Sequence, residues 1–118
     1  MTPGEIKAKV QAAYVKALGD RFRQMQRGSD IDELFRNVKL YGRDAGTDFV
    51  ETNLGRIVQE AVDRAECKEA ALEMTAYGFG KGALAGMEQA LRDATGLKDE
   101  MNGTTLRLIW AEASPGLI

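Results

Sequence analysis

The sequence contains no histidine. That absence removes the side chain that ordinarily moves protons near neutral pH. It also removes the usual nitrogen ligand of zinc and every triad or dyad built on a histidine base. Cysteine occurs once, at Cys67. No intramolecular disulfide can form, and no cysteine-rich metal site can be assembled. Any catalysis would have to rest on carboxylates, lysines, tyrosines or arginines, so an enzyme is the least favoured class. No cofactor and no metal are expected.

No apolar run approaches the ~20 residues of a membrane span, and no membrane partner is expected. The opening MTPGEIKAKV is polar and charged, unlike a secretory signal. Together with the lone cysteine this points to a cytoplasmic protein. The formal net charge of −2 is too small to imply a nucleic-acid or membrane surface.

What is present fits one globular domain, residues 1–118. The 44% hydrophobic content suffices for an ordinary core. Thr2, Pro3 and Glu5 form an N-terminal helix signal, with Pro3 at the first helical position and Thr2 and Glu5 as a capping box. Ile6, Val10, Tyr14, Ala17, Leu18, Phe22 and Met25 then recur at helical spacing, which predicts a first helix running to about 27–30. Ile31, Leu34, Phe35, Val38 and Tyr41 predict a second. Thr47 is placed to cap a third, which carries Val50, Leu54, Ile57, Val58, Ala61 and Ala65. Residues 67–77 are rich in strong helix formers and read as helix. Leu84, Met87, Leu91 and Ala94 give a further helical face, stopped by Gly96 with Leu97 as the apolar contact beyond it.

The C-terminal region changes character. Asn102-Gly103 marks a tight turn. Leu106, Leu108 and Trp110 then alternate with Thr105, Arg107 and Ile109, the period of a strand. One strand cannot leave its backbone groups unpaired. Its partner is sought in residues 37–41, in residues 97–101 before the turn, or in another chain. The predicted fold is mainly α: four to five helices with a single C-terminal strand, about 104–113, pairing in a small sheet or across a subunit interface.

The stretch AYGFGKGALAG, residues 76–86, holds four glycines and a lysine. A phosphate-cradling loop of the form GxxxxGK[ST] fails at two of its positions, which are Thr75 and Gly82 here. Gly78, Gly80 and Ala83 satisfy a relaxed dinucleotide fingerprint. With 71–77 read as helix, however, no strand precedes them. A looser possibility is a turn that opens helix N–H groups to a small anionic ligand at Gly78, Gly80, Lys81 and Gly82. The favoured reading is structural. Gly78, Gly82 and Gly86 are four apart, so on a helix they would line one row and let another backbone approach. The segment would bend near Gly78 to Gly80 and pack tightly beyond.

Other candidates are weaker. Lys9, Lys16, Arg23 and Arg27 line one face of the first helix. The first 28 residues carry six basic against two acidic side chains. A nucleic-acid surface is one reading, but no aromatic interleaving supports it, and a solvated helix face is commoner. Cys67 reads as a small apolar residue rather than a reactive thiol. Tyr41, Arg43, Asp44 and Asp48 bring polar groups together without a recognisable chemistry.

The function expected first is a non-catalytic interaction or assembly subunit, self-associating or bound to another protein. Gly82, Gly86, Leu106, Leu108 and Trp110 are its candidate interface. A regulator binding a small anion at the glycine turn comes second, and nucleic-acid binding through the first helix third.

Overall fold

In the computed structural model, which describes residues 2–19 and 31–111, the chain opens with a capped helix. Thr2 Oγ1 accepts a hydrogen bond from the Glu5 backbone N–H at 3.2 Å, one of the donors that a helix start leaves unpaired. Helix α1 spans Pro3–Gly19 and buries Ile6, Val10 and Ala17 on one face. Leu18 lies outside that face and is exposed. The predicted continuation through Phe22 and Met25 lies outside the described residues.

Helix α2 is short, Ile31–Phe35. The expected stripe to Tyr41 breaks because Asn37 takes a left-handed backbone, φ 61, which asparagine tolerates better than most residues. Val38 N–H then turns back to the Phe35 carbonyl at 3.3 Å. Leu40 pairs with Phe79 in an isolated parallel bridge.

Helix α3, Arg43–Glu66, starts four residues before the Thr47 predicted to cap it. Gly42 takes the N-cap position in extended conformation without a side-chain cap. Thr47 instead folds its hydroxyl onto the Arg43 carbonyl at 3.2 Å, the back-bond of a threonine inside a helix. Cys67 caps the far end, half-buried and unpaired with any other cysteine. Lys68, φ 66, turns the chain away.

Residues 71–75 are a strand, β1 (Ala71–Thr75), where helix was predicted. Leu and Met favour helix intrinsically, but ALEMT also alternates, with Leu72 and Met74 buried and Glu73 exposed. Pairing with a neighbouring strand decides between the two. Helix α4 follows as Lys81–Thr95, then β2 (Lys98–Asn102) and β3 (Thr105–Ile109). Gly96, φ 66, ends α4 as expected, its N–H on the Arg92 carbonyl. Gly103, φ 63, turns the β2–β3 hairpin.

The sheet order is β1-β3-β2. The C-terminal strand therefore lies in the centre of a small sheet within the chain, antiparallel to both neighbours. β1 and β2 consequently run parallel to each other, with β3 slotted between them and α4 as their connection. Leu72 faces Leu108 and Met74 faces Leu106 across β1 and β3. All four are buried against a core shared with Val10, Phe35, Val50, Ile57, Met87 and Leu91. The opposite face of the sheet carries Glu73, Arg107 and Glu100 in one cross-strand row.

Candidate functional site

The glycine stretch sits where β1 hands over to α4. Phe79 N–H closes a turn on the Ala76 carbonyl at 3.1 Å. The neighbouring segment before α3 is laced to it in both directions. Leu40 N–H donates to the Gly78 carbonyl (3.1 Å), and Gly80 N–H donates to the Leu40 carbonyl (2.7 Å). Beyond the turn the two backbones stay in contact. A Cβ on Gly78 would overlap the Val38 carbonyl oxygen, and one on Gly82 would lie 2.7 Å from the Tyr41 carbonyl oxygen. One on Gly86 would overlap the Arg43 carbonyl oxygen, and one on Gly46 the Ala83 carbonyl oxygen. No side chain fits at such separations, so glycine is the only residue compatible with this seam.

The segment is not the bent helix predicted. It is a strand, a turn and then a helix beginning at Lys81. A strand does precede the glycines, against expectation. The strand beside it, however, is the antiparallel β3, not the parallel neighbour of a dinucleotide-binding unit. The anion-binding possibility meets a direct competitor. The N-terminal N–H groups of a helix are the donors an anion would use. Here Gly80 N–H goes to Leu40, and Ala83 N–H goes to the Tyr41 carbonyl at 3.2 Å. Lys81 itself is exposed.

The five residues predicted as an interface are placed inside the chain. Gly82 and Gly86 abut the backbone at Tyr41 and Arg43. Leu106, Leu108 and Trp110 are core residues. Trp110 donates from its indole Nε1–H to the Glu69 carbonyl at 2.8 Å, satisfying the one polar atom of a buried ring. The contacts the structure shows for them are to this chain. The alternation that exposed them in the sequence is that of a central strand.

Of the basic set, Lys9 and Lys16 are exposed on α1, while Arg23 and Arg27 lie outside the described residues. Tyr41, Arg43, Asp44 and Asp48 are exposed around the start of α3. Among the described residues, no group of three or more acidic or cysteine side chains is placed to hold a metal ion. No helix there is long and apolar enough to cross a membrane.

Three further features were not anticipated. A groove of 630 Å³ runs between α2 and β1, lined by Asp32, Arg64, Glu69, Glu73 and Arg107 among others. Its cations are matched within the chain: Arg64 with Glu60 and Glu69, Arg107 with Glu73 and Glu100. Beside β2, Arg92 donates from Nε and Nη2 to the two carboxylate oxygens of Asp99 at 2.8 and 3.0 Å. Burial alone would raise the Asp99 pKa, but Arg92 and a hydrogen bond from Glu88 hold it below the ordinary value. Glu88, hydrogen-bonded to that carboxylate and partly desolvated, is raised in turn.

The outward side of α1 is the third feature. Gly4, Ala8, Ala12, Val15 and Gly19 follow one another at spacings of four, four, three and four, which places them on one helix face. That face is diametrically opposite the buried Ile6, Val10 and Ala17. All five residues are exposed, Val15 at 66%, and Leu18 beside them at 53%. A solvated helix face normally carries charge; this one carries none. In the sequence the signal was the missing charge at those five positions, which the lysines flanking them concealed.

Comparison with protein-family models, with curated proteins and with solved structures found no match to this chain.

Proposed function

We propose that this protein is a non-catalytic interaction subunit that associates with itself, and that α1 carries the contact. The observation behind this reading is the uncharged outer face of α1. A surface helix gains little from exposing valine and leucine, and buries them only when another molecule covers them. The alternatives have less support. The α4 N-terminus has already spent donors on Leu40 and Tyr41, and the basic positions of α1 are only those of an ordinary solvated flank. The single free thiol at Cys67 suits a reducing compartment, and we place the protein in the cytoplasm.

The test is sedimentation of the purified protein over a range of concentrations, beside a Val15→Glu variant. Concentration-dependent dimers that disappear in the variant, with an unchanged melting temperature, are expected. A wild-type protein that stays monomeric at the highest soluble concentration would remove the proposal.

A further inference from the structure

Beyond self-association through α1, we infer that the free edge of β1 takes an extended, lysine- or arginine-bearing segment of another protein as a fourth strand of the sheet.

The first argument is where the backbone hydrogen bonds of β1 go. This strand lies at one edge of the sheet. Ala76 N–H donates to the Thr104 carbonyl at 2.9 Å, and Trp110 N–H to the Ala70 carbonyl at 3.1 Å. Residues of an antiparallel strand turn alternately toward and away from their neighbour, so Ala70, Leu72, Met74 and Ala76 face β3. Ala71, Glu73 and Thr75 direct their N–H and C=O groups the other way. Among the described residues nothing pairs with those groups. A row of donors and acceptors repeating about every 7 Å matches one ligand chemistry, an extended polypeptide.

The edge is open as well as unpaired. The 630 Å³ groove is lined by these same three residues, with Ile31 and Asp32 contributed by α2. A further hollow of 300 Å³ shares Asp32 and Thr75 and carries the path on to Tyr77, which is 87% exposed. Ala71 to Tyr77 gives room for about six or seven extended residues. The opposite edge of the sheet is guarded. β2 sets Lys98, Asp99 and Glu100 in succession, the charge that keeps edge strands from pairing. β1 carries Glu73 alone.

Charge selects the occupant. Arg64 lies between Glu60 and Glu69, and Arg107 between Glu73 and Glu100. Each of these cations is outnumbered by carboxylates. Asp32 adds another, exposed and outside every ion pair among the described residues. Arg36 runs against this surplus, but it lines only the smaller hollow at the Tyr77 end. A second copy is a poor occupant, because two β1 edges meeting about a twofold would set one acidic groove against another. A basic strand meets no such conflict.

The probe is an acetylated, amidated peptide of alternating threonine and lysine, about seven residues long. Amide hydrogen exchange resolved residue by residue reads its binding. At about 1 mM peptide the Ala71, Glu73 and Thr75 amides should slow about tenfold. Leu72 and Met74, already bonded to β3, should not change. The same peptide with glutamate for lysine, or with every backbone nitrogen methylated, should leave all five amides as they were. Asp32→Lys should weaken the lysine peptide about threefold. Glu73→Pro removes one outward N–H while sparing the ladder to β3, and should abolish the slowing at Ala71 and Thr75. Where that variant fails to fold, Asp32→Lys and the methylated peptide decide. Equal slowing by the glutamate or methylated peptide, or none by the lysine peptide, overturns the proposal. Slow exchange of the three amides in the peptide-free protein overturns it too. If that protection rises with protein concentration, the edge belongs to a second copy; if it does not, to this chain. None of these outcomes depends on whether α1 self-associates.

Discussion

Gly86 of α4 rests on the backbone carbonyl of Arg43 at the start of α3, with no room between them for a methyl group. Gly46 of α3 makes the reciprocal contact on Ala83. In a helix interior alanine is ordinarily better than glycine by about 1 kcal/mol. Here the overlap with backbone outweighs that gain, because a carbonyl cannot swing aside as a side-chain tip can. Gly86→Ala and Gly46→Ala should each destabilise by about 3 kcal/mol or more. Gly55, in the same helix α3 but with open space around it, should gain about 0.5–1 kcal/mol on substitution by alanine. Urea denaturation of the three variants distinguishes packing from propensity; equal effects would refute the seam.

Trp110 is the only tryptophan, and its indole N–H ties β3 to the Glu69 carbonyl after α3. Trp110→Phe leaves that carbonyl without its donor while keeping most of the ring packing. A loss of about 1–3 kcal/mol is expected, read by circular dichroism because the fluorescent probe is removed. A variant as stable as the parent would mean that the bond is exchanged freely for water.

The Arg92, Asp99 and Glu88 cluster predicts opposite pH trends for its two carboxyls. The lowered Asp99 pKa adds stability that is complete above its ordinary value of 3.8 and lost as the pH falls through the lowered one. The raised Glu88 pKa adds stability that is complete below 4.5 and lost as the pH rises through the raised one. Melting temperatures measured from acid to neutral pH should show Glu88→Gln flattening the decline above 4.5, with Asp99→Asn removing the acid-side loss below 3.8. Profiles identical to the parent would show that the hydrogen bonds do not persist in solution.

Because Leu40 and Tyr41 already accept the Gly80 and Ala83 N–H groups, inorganic phosphate should not raise the melting temperature beyond an equal ionic strength of chloride. Lys81→Glu should leave the comparison unchanged. A phosphate-specific rise abolished by Lys81→Glu would reinstate the glycine turn as a ligand site, since a ligand of the folded state stabilises it.

Local signals with a fixed stereochemical demand were legible in the sequence. Gly103 at the hairpin, Gly96 after α4 and Thr2 before α1 each occupy the position their residue type predicts. The alternation of Leu106, Leu108 and Trp110 announced a strand, and residues 98–101, among those named as possible partners, do pair with it. β1 was hidden because ALEMT satisfies helix by composition and strand by alternation. Only β3, some thirty residues on, breaks the tie. The early end of α2 turns on one asparagine at φ 61, a conformation available to asparagine but not dictated by it. The spacing of the glycines marks a place where backbones meet, as the contacts of Gly78, Gly82 and Gly86 show. The spacing does not convey the geometry, because Gly78 belongs to a turn and its neighbour is the non-helical segment before α3. On α1 the uncharged face between the lysines consists of small residues that match no motif, so its sequence carries no signal of its own.

The central position of β3 has a consequence for synthesis. Until residues 105–109 leave the ribosome, β1 and β2 have no strand between them, and the inward side chains of Leu72 and Met74 lack their partners Leu108 and Leu106. The residues before β3, already translated, must wait in an incompletely paired state for that strand. Arrest-peptide force profiling should therefore show one late folding event, after Ile109 has cleared the exit tunnel, and little tension before it.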